Sequence, residues 1–257
     1  MIGLSMTSYT GRTPEEFERW LEEAEGLGFD FVELVSEWPN FLTRETWKTY
    51  ANALESFELE VTVHAPFSDV NIGSLNEKLR TASIEVLAET LDVASRLNAL
   101  AVTVHPGHCS PASRKFREDY NRVHRDSLRE LERFSEEFGI RVGVENMPTF
   151  PILDAQTPER LAELLDGINL GVTLDVGHLN TVGFPFERFM ELLGERIVHV
   201  HLHDNSGKSD EHLSLGRGTV PWREVLPRLE KFSRALEVSS LDDARVSLAF
   251  LRDIGGL

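Results

Sequence analysis

Six short apolar or β-branched runs in this chain each end on a side chain that can bind a divalent metal: VTVH at His64, VTVH at His105, VGVE at Glu145, VTLD at Asp175, HVH at His201 and ALE at Glu237. Imidazole and carboxylate donors form a metal site only when several converge on one point. Parallel strands that stop together bring them there. The endings recur at intervals of 26 to 41 residues, the spacing expected of repeated strand and helix units. Three more donors follow closely behind strand ends: His178 in DVGH, and Asp210 with His212 in DEH. One zinc ion takes about four or five ligands, so nine donors with bridging carboxylates suffice for two or three ions. The set contains no cysteine, so the expected ion is zinc, with manganese or magnesium as alternatives.

Short strand-like runs alternate with longer segments of helical period, which is the pattern of parallel βα units. Eight strands are expected: Ile2 to Met6, Phe31 to Leu34, Glu60 to His64, Ala101 to His105, Arg141 to Glu145, Leu170 to Asp175, Ile197 to Leu202 and Arg234 to Val238. Thr13 and Pro14 announce a helix that Gly28 closes, and Thr157 with Pro158 repeats the device. No Gly, Ser or Pro-rich linker divides the chain, so residues 1–257 read as one (β/α)8 TIM barrel of α/β class. Side chains alternate faces along a strand. Thr62, Thr103, Gly143, Thr173, His199 and Ala235 therefore share the barrel interior with the donors, while Val61, Val63, Val102, Val104, Val142, Val144, Val172 and Leu174 face the helices.

Charge narrows the partners. With 26 Lys and Arg against 43 Asp and Glu, the net charge of −17 repels nucleic acid and anionic membrane unless a local basic patch overrides it. Arg122, Arg125, Arg129 and Arg133 form a stripe at helical spacing, but Glu130, Glu132, Glu136 and Glu137 surround it, so a solvated, ion-paired outer face is expected. The single Cys109 rules out an internal disulfide and fits a reducing compartment. The first residues lack a basic region followed by an apolar stretch, and no apolar run reaches membrane-spanning length. A cytoplasmic protein is the expectation.

Several side chains are candidates for holding a substrate. His203 alternates with His201 along one strand, and Lys208 with Arg217 in Gly216-Arg217-Gly218 offer cations for a phosphate or carboxylate. Trp38, Phe41, Phe67, Met147, Phe150 and Trp222 follow strand ends and are candidate pocket walls. His199 reads as an interior group, and His108 either lines the mouth or is exposed.

Taken together, His105-Pro106-Gly107, Val144-Glu145-Asn146, Leu174-Asp175-Val176-Gly177-His178, His201-Leu202-His203-Asp204, Asp210-Glu211-His212 and Ser214-Leu215-Gly216 resemble the xylose isomerase-like barrel superfamily. That superfamily includes endonuclease IV and many sugar isomerases and epimerases. The resemblance to endonuclease IV implies a trinuclear zinc pattern on His64, His105, Glu145, Asp175, His178, His201, Asp210, His212 and Glu237. The single-metal epimerase pattern implies Glu145, Asp175, His201 and Glu237. Asn146-Met147-Pro148-Thr149-Phe150-Pro151 replaces the polar, Gly-rich segment usual in endonuclease IV, and the loop after the second strand is short, so the DNA-binding apparatus looks missing. The expectation is a metal-dependent isomerase or epimerase of a small sugar or sugar phosphate, with Glu145, Glu237 and His178 as catalytic groups. The alternative is a zinc phosphoesterase acting at abasic DNA.

Overall fold

The computed structural model describes residues 1–256. Eight parallel strands, β1 (Ile2–Ser5), β2 (Phe31–Val35), β3 (Glu60–His64), β4 (Val102–Val104), β5 (Val142–Glu145), β6 (Gly171–Asp175), β7 (Ile197–Leu202) and β8 (Arg234–Leu236), pair in sequence order. The first and last strands also pair, with Gly3 opposite Ala235, so the sheet closes into a barrel. Helices α1 (Pro14–Leu27), α2 (Trp47–Leu54), α3 (Glu77–Arg96), α4 (Pro111–Lys115), α5 (Arg117–Phe138), α6 (Pro158–Leu164), α7 (Val176–Thr181), α8 (Phe186–Leu193), α9 (Trp222–Val225) and α10 (Leu241–Asp253) lie between and after the strands. The fold is the expected (β/α)8 barrel.

Local chemistry sets the helix ends. Thr13 accepts from the Glu16 amide while the Glu16 carboxylate accepts from the Thr13 amide, and Gly28 closes α1 at φ 87°. Losing such a cap costs about 1 kcal/mol. Thr157 caps α6 in the same way, through the Arg160 amide.

Interior and exterior faces divide as the alternation predicts. The Thr103 and Thr173 hydroxyls share a hydrogen bond of 2.9 Å inside the barrel. A Cβ on Gly143 would lie 2.3 Å from Thr173 Oγ1, so the narrow interior demands glycine there. Val63, Val102, Val104, Val144, Val172 and Leu174 are fully buried within the hydrophobic core. Several strands are shorter than the sequence runs that predict them: β4 stops before His105, β8 before Glu237 and β1 before Met6. Ladder pairing frays within a residue or two of a strand end, and at the mouth it releases those side chains from the pleat.

The arginine stripe lies on α5. Arg122 and Arg129 pair with Asp119 and Asp126, each at 2.9 Å. Arg125 departs from that pattern: it donates to the carbonyls of Glu163, Leu164 and Asp166, holding the C-terminal end of α6. Among the described residues, no helix is long and apolar enough to cross a membrane.

Candidate metal and active site

At the C-terminal mouth the strand ends gather His64, His105, Glu145, Asp175, His178, His201, Asp210, His212 and Glu237 into contiguous groups. Donor atoms of Glu145, Asp175, His201 and Glu237 all lie within 4.8 Å of one another, as do those of His64, His105 and Glu145, and those of His178, His203, Asp210 and His212. Glu145 belongs to two of these groups.

Around Glu145, Oε1 meets His201 Nδ1 at 2.8 Å, while Oε2 lies 3.0 Å from His105 Nε2 and 3.5 Å from His64 Nε2. His201 Nδ1 is also 3.6 Å from Glu237 and 3.8 Å from Asp175. Asp175 caps α7: its Oδ1 accepts from the His178 amide at 2.6 Å. Asn146 fixes the end of β6 through two hydrogen bonds of 2.9 Å to the Asp175 backbone. In the third group, His178 Nδ1 contacts the Asn146 carbonyl at 2.8 Å and His212 Nδ1 the Glu237 carbonyl at 2.9 Å. Both rings therefore present Nε2 toward Asp210, each at 3.3 Å. Carbonyl acceptors that fix the tautomer and leave the other nitrogen lone pair free are a recurrent support of metal-binding histidines.

Two interior residues extend the site. The sequence reading missed Glu33, on β2. Its fully buried carboxylate lies 3.0 Å from His201 Nε2 and 3.2 Å from His199 Nε2. His199 Nδ1 pairs with the Ser233 hydroxyl at 2.8 Å, which makes it an interior group as expected. A signal for Glu33 did exist: it sits opposite Thr62, on the inward face of FVELV, where a lone carboxylate must find a partner.

Protonation follows from this crowding. Burial opposes the charge on His201, but Glu237, Glu33 and Glu145 outweigh it and hold the imidazole well above its usual range. Burial likewise opposes ionisation of Glu145, yet His201, His105 and His64 hold its carboxyl well below the usual range. Glu237 goes the other way, raised first by burial and then by Glu33 and Glu145 against the pull of His201 and His212. Against burial, neighbouring carboxylates push His178 up to about 10 and His212 up to about 9. Burial lowers His105.

A cavity of about 350 Å³ opens beside these groups, lined by His64, His105, Glu145, His178, Asp210, His212 and Glu237 on one side. Phe67, Met147, Pro148, Phe150, Ile152 and Leu153 supply an apolar wall, and His108 also lines the cavity. Four residues expected at the substrate are not brought to it. Trp38 is 68% exposed beneath the Arg12 guanidinium, Lys208 and Arg217 point to solvent, and His203 is fully buried against Asp175. Phe41 and Trp222 are also absent from the lining. The long loop after β7 explains three of these. Asp204 binds the amides of Asn205, Gly216 and Val220 and the Trp222 indole, folding that loop so that Lys208 and Arg217 face outward.

The donor set fits a divalent ion. Glu145 Oε2, Asp175 Oδ2 and both ring nitrogens of His203 are buried without a hydrogen-bond partner, a costly arrangement unless something else satisfies them. Nitrogen and oxygen donors without thiolate suit zinc, manganese or magnesium.

The chain is thus a closed parallel (β/α)8 barrel whose mouth carries buried imidazoles and carboxylates that could hold a metal ion. Residues 21–254 match the family model described as xylose isomerase-like TIM barrel, and the chain belongs to that family. An uncharacterized protein of Methanocaldococcus jannaschii, MJ1311, is 35% identical over 93% of this chain and 85% of its own length. The crystal structure of a D-tagatose 3-epimerase-like protein is 32% identical and superposes with a TM-score of 0.89 over 98% of this chain and 96% of that one. A probable endonuclease 4 of Mycobacterium leprae is 27% identical over 91% of this chain and 94% of its own.

Proposed function

We propose that this protein isomerises or epimerises a small sugar or sugar phosphate by proton transfer at the carbon beside a carbonyl, with a divalent metal, zinc first, as cofactor. The observation that carries the reading is the pair Glu145 and Glu237. They share one donor group, open onto one cavity and have their carboxyl pKa values pushed in opposite directions, Glu145 down by its histidines and Glu237 up by burial. Two titratable groups pushed apart in this way divide into a base and an acid. Glu145, the more readily ionised of the two, takes the proton from carbon, and Glu237 returns one on the other side of the reacting carbon. His201 and Asp175 complete the donor group, and an ion held there supplies polarisation of the substrate carbonyl. His178, which meets Asp210 and lines the cavity, would hold a substrate oxygen. The apolar wall excludes water from the carbon that loses its proton. The likeness to a D-tagatose 3-epimerase-like protein supports the sugar as substrate, and the single Cys109 suits a cytoplasmic setting.

The test is exchange of solvent deuterium into sugars. Metal-loaded protein incubated with ketoses and ketose phosphates in heavy water should label the carbon beside the carbonyl. Absence of label with every sugar and metal tried would overturn the reading.

A second reading, phosphoester hydrolysis at abasic DNA, is favoured by one observation: Glu145 bridges two donor groups, as a site for several ions requires. No Lys or Arg lines the cavity, so the cations that normally bind a DNA backbone are missing from it. Cleavage of an abasic duplex would favour this reading.

A further inference from the structure

The mouth cavity has two unlike sides, and a sugar reacting as proposed spans them. Its carbonyl and the neighbouring oxygen meet the donor group that contains Glu145 and Glu237, so its far end reaches the wall of Phe67, Met147, Pro148, Phe150, Ile152 and Leu153. Outside the donors, the polar side chains lining the cavity among the described residues are Thr7, Ser68 and His108. Thr7 already donates to the Val238 carbonyl at 3.2 Å.

We propose that this wall selects an unphosphorylated sugar ending in an apolar group, of which the methyl of a 6-deoxyketose is the simplest, and turns away sugar phosphates; this rests on the proposed reaction for the end of the sugar that meets the donors. Charge supports the exclusion of phosphate. A phosphate monoester carries about −1.5 to −2 charges at neutral pH and is bound by guanidinium, ammonium or clustered backbone amides. No Lys or Arg lines the cavity, whereas Glu145, Asp210 and Glu237 do. The imidazoles on the donor side are already matched: His105 meets Glu145 at 3.0 Å, and His178 and His212 each meet Asp210 at 3.3 Å.

The backbone along the wall offers no cradle either. The amides of Phe67 and Ser68 donate to the Glu37 carboxylate at 2.7 and 2.8 Å, and that of Thr149 to the Thr181 hydroxyl at 2.8 Å. Those of Met147 and Leu153 donate to the carbonyls of Ala155 and Phe150 at 3.2 and 3.1 Å. A phosphate set here would lose its water and gain no partner.

Apolar surface supports the choice of end group. Phe150 and Ile152 line the cavity yet are 53% and 41% exposed, so an apolar group of the ligand would cover surface that now faces water. Their segment is tied down. Leu153 bridges His108 as an antiparallel pair, the Cys109 amide donates to the Ile152 carbonyl at 2.6 Å, and the Gln156 side-chain amide donates to the Leu153 carbonyl at 3.1 Å. A preformed apolar wall with a few polar groups is the usual build of a small-molecule site. The volume of about 350 Å³ lies near the lower end of such sites, about 300–1,000 Å³, and suits one sugar unit.

The experiment titrates the metal-loaded full-length protein, by calorimetry, with D-tagatose and D-fructose and with the 6-deoxy analogue and 6-phosphate of each, and follows solvent deuterium entering all six. The better-bound 6-deoxy sugar should bind about 10-fold tighter than its parent, whose terminal hydroxyl finds no partner at the wall, and its 6-phosphate about 10-fold weaker than the parent. Phe150→Ser should narrow the gap between 6-deoxy sugar and parent, and Ile152→Arg, at the exposed rim, the gap between parent and phosphate. A parent or phosphate that binds as tightly as the 6-deoxy sugar, or six sugars that do not bind, overturns the proposal. Label entering a 6-phosphate bound as tightly as its parent also overturns it, while leaving the proposed reaction standing. The expected order of affinities with no label in any sugar refutes the reaction and leaves the preference of the wall standing.

Discussion

Glu33 offers the sharpest perturbation, because it is fully buried and absent from the lining of the mouth cavity, yet it holds a histidine of the donor group. His201 turns Nδ1 toward Glu145, Asp175 and Glu237, so an ion there would take Nδ1, and the Nε2 proton would be donated to Glu33 at 3.0 Å. A hydrogen bond to a buried charge contributes about 1.5–3 kcal/mol. Outer partners of metal-binding histidines are worth about 10–100-fold in affinity, which is the same range of free energy. Glu33→Gln keeps an acceptor oxygen and should weaken zinc binding about 10-fold; Glu33→Leu removes it and should approach 100-fold. Competition against a chromophoric chelator reads both. Glu33 also raises the Glu237 carboxyl by repulsion, so the Gln variant should titrate that group at lower pH in the metal-free protein. Equal zinc affinity in wild type, Glu33→Gln and Glu33→Leu would refute the claim that Glu33 orients His201.

Glu145→Gln and Glu237→Gln should each lower sugar proton exchange by about 10²–10⁴-fold, the usual worth of a positioned acid or base, as measured by deuterium uptake. Metal uptake should release protons and tighten as pH rises, because His178 at about 10 and His212 at about 9 hold protons that an ion must displace; calorimetry in buffers of different ionisation heat would show it, and affinity constant from pH 6 to 9 would argue against it. Asp154, 5% exposed, accepts two hydrogen bonds from Arg160 at 2.8 and 2.7 Å and one from the Tyr120 hydroxyl at 2.9 Å. Asp154→Asn takes away the buried charge that Arg160 pairs with, leaving it Glu163 and Asn121, and should cost about 2 kcal/mol in denaturant melts. Although burial opposes it, the Arg160 guanidinium holds the Asp154 carboxyl far below its usual range. Its contribution is therefore complete above the unfolded carboxyl value of about 4 and fades as pH falls below that; the stability gap between wild type and variant should narrow in acid.

The strand endings were legible because each carries its own local signature, a β-branched run closing on a donor, and parallel strands convert that one-dimensional pattern into a ring. Caps at Thr13 and Thr157 were legible for the same reason, since both partners of the motif are neighbours in sequence. What escaped depends on contacts across the barrel. Glu33 lies in an apolar strand with no donor at its end, and its partner His201 stands 168 positions away along the chain. The outward turn of Lys208 and Arg217 follows from Asp204 fastening a loop by its backbone amides, which composition does not reveal. His203 was read as facing substrate because it alternates with His201, but just past the end of β7 the chain turns and seats its ring under His212.

Anomalous scattering from crystals grown with zinc tests the central claim most directly. The account predicts a peak among Glu145, Asp175, His201 and Glu237. A fully zinc-equilibrated crystal with no peak there, its carboxylates and imidazoles paired only with each other and with water, would contradict it.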